Sequence, residues 1–181
     1  RRPSALYDEL CRAATLDRAW CLVRRGGQAA GVDGQSLRQF ASNAEGELER
    51  IRQGLCAHCH RFQPVRRSSY PKIGGGMRRL GIPTVRDRVV QQAIRLLLEP
   101  LLEPTFAAAS FAYRPGRDVH QALAAFFEYQ RAGNPWVLKS DVQDFFDSVH
   151  HRRLLARLKR LDVDDQLLDM ICDFLRVGAT E

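Results

Sequence analysis

The sequence predicts an α+β fold, and three observations carry that expectation. Apolar residues recur at helical spacing over most of the chain, glycines fold one β-like stretch back on itself, and the elements run helices, hairpin, helices, strand, helices. No internal repeat appears.

The first helix is read from Leu6, Leu10, Ala13, Ala14, Leu16, Ala19, Trp20 and Val23, spaced near 3.6 residues per turn. "RRGGQAAGVDG", residues 24–34, is loop, because four glycines and an Asp-Gly pair interrupt any regular element. Helical spacing resumes through Leu37, Phe40, Leu48, Ile51 and Leu55, with Ser36 as candidate N-cap. Val65 to Ile73 is β-like. The turn Gly74–Gly76 joins it to "MRRLGIP", the expected return strand. A long helix then starts at Pro83-Thr84, with Val89, Val90, Ala93, Ile94, Leu97, Leu98 and Leu101 on its apolar face. "SFAYRPGRD" is loop, "VHQALAAFFEYQRAG" is helix closed by Gly133, and "PWVLKSD" is a short strand ending in Asp141. Two further helices are expected around Leu154–Leu161 and Leu167–Leu175.

The 181 residues carry a formal net charge of +7. A basic surplus points to an anionic partner, and nucleic acid is the commonest polyphosphate. No apolar run reaches the ~18–20 residues that span a bilayer, and the first residues lack a signal-peptide core. The chain therefore reads as soluble and cytoplasmic. Five cysteines, an odd number, do not form a disulfide framework.

Four stretches carry candidate chemistry. "YPKIGGGMRRLGIPT" sets Lys72 before a glycine turn and Arg78 and Arg79 after it, either a clamp for a triphosphate or a solvated basic hairpin. Arg114 and Arg117 flank a Pro-Gly turn; their guanidinium forks suit phosphate and stack on bases, or else pair with acids such as Asp118 to pin the turn. In "KSDVQDFFDSVHH", Asp141 at a strand end is the candidate ligand for a hard cation such as Mg²⁺, which takes few carboxylates plus substrate phosphates. Asp144 and Asp147 read as turn or helix caps, and Phe146 is either an apolar wall against a sugar or plain core. "CAHCH", residues 56–60, holds one C-x-x-C pair with no second pair in the chain, and reads as a surface turn rather than a zinc site.

Taken in order, these stretches resemble the fingers and the beginning of the palm of reverse transcriptases of the group II intron-like lineage. "AGVDG" with the following "SLRQF" is similar to the N-terminal extension block. "YPKIGGGMRRLGIPTVRDRVVQQAIRLLLEPLLEPTF" is similar to the next block, with Tyr70 where an aliphatic residue is more usual. "SFAYRPGRDVHQAL" looks like the third, and "VLKSDVQDFFDSVHHRRLL" looks like polymerase motif A. The wording "SFAYRPGR" is similar to reverse transcriptases linked to CRISPR adaptation modules, often fused to an integrase.

The resemblance implies a right-hand polymerase fold. Residues 1–85 would be the N-terminal extension and fingers, and residues 86–181 the remaining fingers and an incomplete palm. It implies RNA-directed DNA polymerase activity on an RNA template and a DNA primer with dNTPs. Mg²⁺, or Mn²⁺ in its place, would be held by Asp141. Lys72 and Arg78 would grip the triphosphate, Phe146 would screen the sugar 2′-OH, and Arg79, Arg114 and Arg117 would line the nucleic-acid side. An integrase or maturase region in the same parent chain is the implied covalent partner. The family's Tyr-x-Asp-Asp hairpin and thumb do not occur in these residues, and "DVDD" at 162–165 has Asp162 where an aromatic is needed. The chain is therefore expected to be a fragment, inactive alone. The competing expectation is a non-catalytic RNA-binding or assembly module on the same fold.

Overall fold

The computed structural model describes residues 6–71 and 75–180, apart from the side chain of Arg78. Helices dominate, beginning with α1 (Leu6–Leu10) and α2 (Ala13–Val23). One helix was expected here, but the chain breaks at Arg12, whose backbone is extended (φ −75°, ψ 135°). The second expected helix is also two, α3 (Leu37–Ala41) and α4 (Ala44–Cys56), divided at Asn43. Ser36 caps α3 as expected. Its Oγ accepts from the Gln39 amide at 3.2 Å, and the Gln39 side chain accepts in return from the Ser36 amide at 2.8 Å.

The hairpin forms as expected. Strand β1 (Val65–Pro71) runs antiparallel to β2 (Met77–Ile82), with Arg66 opposite Ile82 and Tyr70 opposite Arg78. Gly75 and Gly76 take φ of +97° and +84°, which side chains rarely adopt and the reversal requires. After β2 come α5 (Val85–Leu102), a single 3₁₀ turn at Glu103–Thr105, α6 (Val119–Arg131), α7 (His151–Lys159) and α8 (Asp165–Arg176). A short β3 (Ala179–Thr180) pairs parallel with β1, giving the sheet order β2-β1-β3.

The expected strand at "PWVLKSD" is absent: residues 135–142 adopt no regular structure and are exposed. A strand exists through the ladder it shares with a neighbour, and among the described residues none pairs with this segment. Its β-forming composition has nothing to bond to.

Two compact units divide the chain: Arg1–Leu98 with His151–Glu181, and Glu99–His150. These cuts follow packing, whereas the motif blocks divide at 85/86. The first unit holds the core. Phe40 is fully buried with its ring 4.7 Å from that of Trp20, and Leu16, Leu55, Val85, Val89, Val90 and Leu167 are also buried.

Candidate functional site

The basic hairpin lies in the first unit. In its register Arg78 stands opposite Tyr70 and Arg79 opposite Ser69. Arg79 is exposed, and Tyr70 is half exposed. Lys72 and the side chain of Arg78 lie outside the described residues.

The glycine loop before α3 is packed against the start of α5 by residues that periodicity does not single out. Arg88 on α5 donates to the carbonyls of Gly27 (2.8 Å) and Ala29 (2.6 Å), and Arg66 on β1 donates to that of Ala30 at 3.0 Å. Burial pushes the Arg88 guanidinium below its ordinary pKa. Gly31 sits so close to the chain at Thr84 that a Cβ would lie 2.6 Å from Thr84 Cα. That is why the "AGVDG" stretch needs a glycine there. Buried Glu47 on α4 accepts from Arg50 (2.7 Å) and Arg86 (2.8 Å), joining α4 to α5. Buried Asp87 accepts from the Gln63 amide at 3.1 Å and faces His60 Nε2 at 3.4 Å. Little in the sequence signals either, since Asp87 stands between Arg86 and Arg88 and Glu47 has Arg50 three residues on, so both read as acids of exposed ion pairs.

The "CAHCH" stretch closes α4. His58 takes a left-handed φ of 53°, and the amides of Cys59 and His60 both donate to Gly54 O. The His58 ring stacks on Tyr7 at 5.0 Å, and Tyr7 Oη donates to Leu55 O at 2.9 Å. Cys56 and Cys59 are exposed free thiols, and no group of three or more metal-ligating side chains occurs among the described residues.

In the second unit, Arg114 is fully engaged. It donates to Glu103 Oε1 (2.7 and 3.0 Å) and to the carbonyls of Ala107 (2.8 Å) and Ser110 (2.9 Å), and lies over the Phe106 ring at 5.4 Å. The loop is pinned by an ion pair, as one of its two readings held, but the acid is Glu103. Asp118 instead caps α6, accepting from the Gln121 amide at 2.8 Å. Arg117 lies over Phe111 at 5.3 Å with one longer bond to Ala108 O, so its guanidinium retains donors.

The stretch around Asp141 is an exposed run of coil and turn. Asp141 Oδ1 accepts from the next amide, Val142 N, at 3.0 Å. Asp144 takes φ 47° and its carbonyl accepts from Ser148 N at 2.9 Å, so this aspartate shapes the turn through its backbone. Phe145 and Phe146 meet edge to face at 5.3 Å, and Phe146 is 79% exposed, which is not the environment of a core residue. Asp141 and Phe146 thus share one open loop of the second unit, while the hairpin arginines belong to the first.

Comparison with known proteins places these features in a family. The profile of the family described as "Reverse transcriptase (RNA-dependent DNA polymerase)" matches residues 70–181, more than half of the chain. The chain is 32% identical to protein YkfC of Escherichia coli K12 over 161 residues, covering 87% of this chain and 42% of that protein. It is 33% identical to the group II intron-encoded protein LtrA of Lactococcus lactis over 139 residues, 76% of this chain and 23% of LtrA. The chain thus spans less than half the length of these relatives. Among solved structures, a chain of the partial Cas6-RT-Cas1–Cas2 complex shares the fold with a TM-score of 0.58 and 24% identity, over 94% of this chain and 28% of that one. The order of hairpin, arginine loop and aspartate loop, the profile match and these relatives lead to one conclusion: the chain belongs to the reverse transcriptase family.

Proposed function

We propose that this chain is the fingers and the beginning of the palm of an RNA-directed DNA polymerase. Residues 1–85 form the N-terminal extension and fingers, and residues 86–181 the remaining fingers and part of the palm. The substrates are an RNA template, a DNA primer and dNTPs. Family membership supports this reading, and one structural observation carries the chemistry: the Asp141 carboxylate is exposed, and among the described residues its one bond comes from the adjacent amide. A carboxylate held only by its own turn is available to an incoming ligand.

Reverse transcriptases generally use divalent metal ions. The donor set here fits one oxygen ligand to Mg²⁺ or Mn²⁺, namely Asp141, with substrate phosphates completing the shell. When bound, such an ion lowers the cost of charge developing on phosphate oxygens. Asp141 alone does not make a two-ion centre. Lys72 and Arg78 at the hairpin neutralise the triphosphate. Phe146, already exposed, offers its ring to the sugar. Arg79 and Arg117 contact nucleic acid, and Arg114 contributes by fixing the loop that carries Arg117. The intron-encoded relatives, two further relatives named as intron maturases, and the fold shared with a Cas6-RT-Cas1–Cas2 complex support a maturase or integrase region in the same parent chain. No helix among the described residues is long and apolar enough to cross a membrane.

The test is primer extension by the full open reading frame and by its Asp141→Ala variant. Extension falls to background while binding of a primer–template duplex is retained, because phosphate contacts elsewhere supply most of the affinity. Near wild-type extension by the variant removes Asp141 from the site. A wild-type protein that binds RNA but extends nothing favours the non-catalytic module.

A further inference from the structure

Helix α7 and its flanks read "HHRRLLARLKR" over residues 150–160. One side of the helix is covered: Leu158 is buried, Leu154 and Leu155 are half-buried, and α7 packs on α8. At about 100° per residue, Arg152, Arg153 and Arg157 fall on the opposite side, Arg160 follows in the turn one residue past the helix end, and all four are exposed. Lys159, at the edge of that face, pairs with Asp165 at 3.0 Å. Among the described residues the four arginines have no such partner. α7 contains no acid, and among the described residues none of the four makes an ion pair.

This arrangement works against the helix itself. His151, Arg152 and Arg153 occupy the first turn, where the macrodipole favours anions. Arg153 and Arg157 are four residues apart, the spacing at which like charges repel, and of the four only Arg157, in the last turn, stands where the macrodipole favours a cation. Helix α4 shows the opposite arrangement, with Glu45 and Glu47 in its first turn and i,i+3 Glu–Arg pairs along its length. Two local preferences broken together, on one face, mark a surface shaped by something outside the chain.

We propose that this face of α7 holds the phosphate backbone of an RNA strand through Arg152, Arg153, Arg157 and Arg160. Guanidinium forks bind phosphate with two parallel bonds. From Arg153 to Arg160, one residue past the helix end, the chain advances about 10 Å, which spans about three intervals and so faces about four phosphates at the ~3.4 Å spacing of charge along one strand. Protein partners are recognised through buried aromatic and apolar anchors, and between these arginines the face offers only Ala156. Nucleic acid therefore fits better than an acidic protein. The choice of RNA over DNA rests on the family membership; the polyanion chemistry does not, and neither depends on Asp141.

The experiment measures binding of the 181-residue chain to a fluorescent 20-nucleotide single-stranded RNA by anisotropy, across a salt series. Substituting all four arginines by Gln lowers affinity at least about tenfold and reduces the slope of log K against log salt by about 3, given ~0.7 per contact on single strands. Arg153→Gln with Arg157→Gln gives about half that change in slope. Arg18→Gln with Arg38→Gln removes the same charge from α2 and α3 and leaves the slope near wild type. Far-UV circular dichroism stays unchanged, since all four positions are exposed and Gln is a good helix former. Equal losses for the two double variants would reduce the effect to net charge and overturn the proposal. Displacement of the RNA from wild type, but not from the quadruple variant, by polyglutamate would assign the face to an acidic protein. A larger loss on a DNA strand of the same sequence than on RNA would overturn the choice of RNA.

Discussion

The two compact units differ in one respect that local sequence does not announce. Every buried residue among the described ones lies in the first unit, and none lies between Glu99 and His150. Yet α6 in the second unit is as amphipathic as α2 and α4 in the first, is capped as well as any of them, and leaves Val119, Leu123, Phe126 and Phe127 exposed. Caps and periodicity are enough to define a helix. Burial also needs a facing surface, and that is supplied from elsewhere in the fold.

Matched truncations measure this difference. The largest expected effect is in the first unit: Phe40→Ala removes a fully buried ring packed on Trp20 and costs about 3–5 kcal/mol in urea unfolding. A loss below ~1 kcal/mol would mean that the first unit is no better packed than the second.

Next comes Gly31→Ala, expected to cost about 1–3 kcal/mol, because the new methyl meets Thr84 and Pro83 backbone rather than a yielding side chain. Thermal unfolding checks it, and loss of the Arg88 bonds to the same loop should accompany it.

Tyr7→Phe is smaller, about 1 kcal/mol, from the bond to Leu55 O. It also has a pH signature. Burial first, then the neighbouring Cys11, pushes the Tyr7 hydroxyl up to about 12 from its ordinary 10.0. Burial likewise pushes the Cys11 thiol up to about 12 from 9.0. Both groups are held neutral in the folded state, so their contribution is complete below pH 9 and is lost as pH rises towards 12. Melting temperature should therefore fall between pH 9 and 11, and less steeply in Tyr7→Phe.

The smallest effect belongs to the second unit. Phe127→Ala, at a ring already 48% exposed, should change unfolding free energy by no more than ~0.5 kcal/mol. A larger loss would show that α6 is covered in solution, and would collapse the contrast with Phe40.

Much of the fold was legible because its signals are local. Ser36 with Gln39, the reversal at Gly75 and Gly76 and the start of α5 beside Pro83 each depend on residues within one turn of chain. The breaks at Arg12 and Asn43 carry no glycine or proline, and spacing alone ran through them. The strand expected at residues 135–141 failed for the opposite reason, since strand formation is not local. For the candidate site, the sequence offered Asp141 and the two arginine stretches as candidates, and the structure shows Phe146 exposed, outside any core. The sequence did not reveal that Arg114 is committed to Glu103, or that Arg88 and Arg66 hold the glycine loop. Those bonds join residues 11 to 61 positions apart.

The parallel pairing of β1 with β3 also bears on synthesis. Val65 meets Ala179, and the Tyr7 amide meets Asp164 across 157 residues. At ~5–20 residues per second, β1 emerges on the order of ten seconds before its β3 partner exists, with one edge satisfied by β2 and the other bare. An unpaired edge invites pairing with another nascent chain. β1 is "VRRSSYP": two arginines at its start and a proline at its end. Those charges make the waiting strand a poor template for a neighbour on the same polysome, so the late arrival of its final strand need not lead to aggregation.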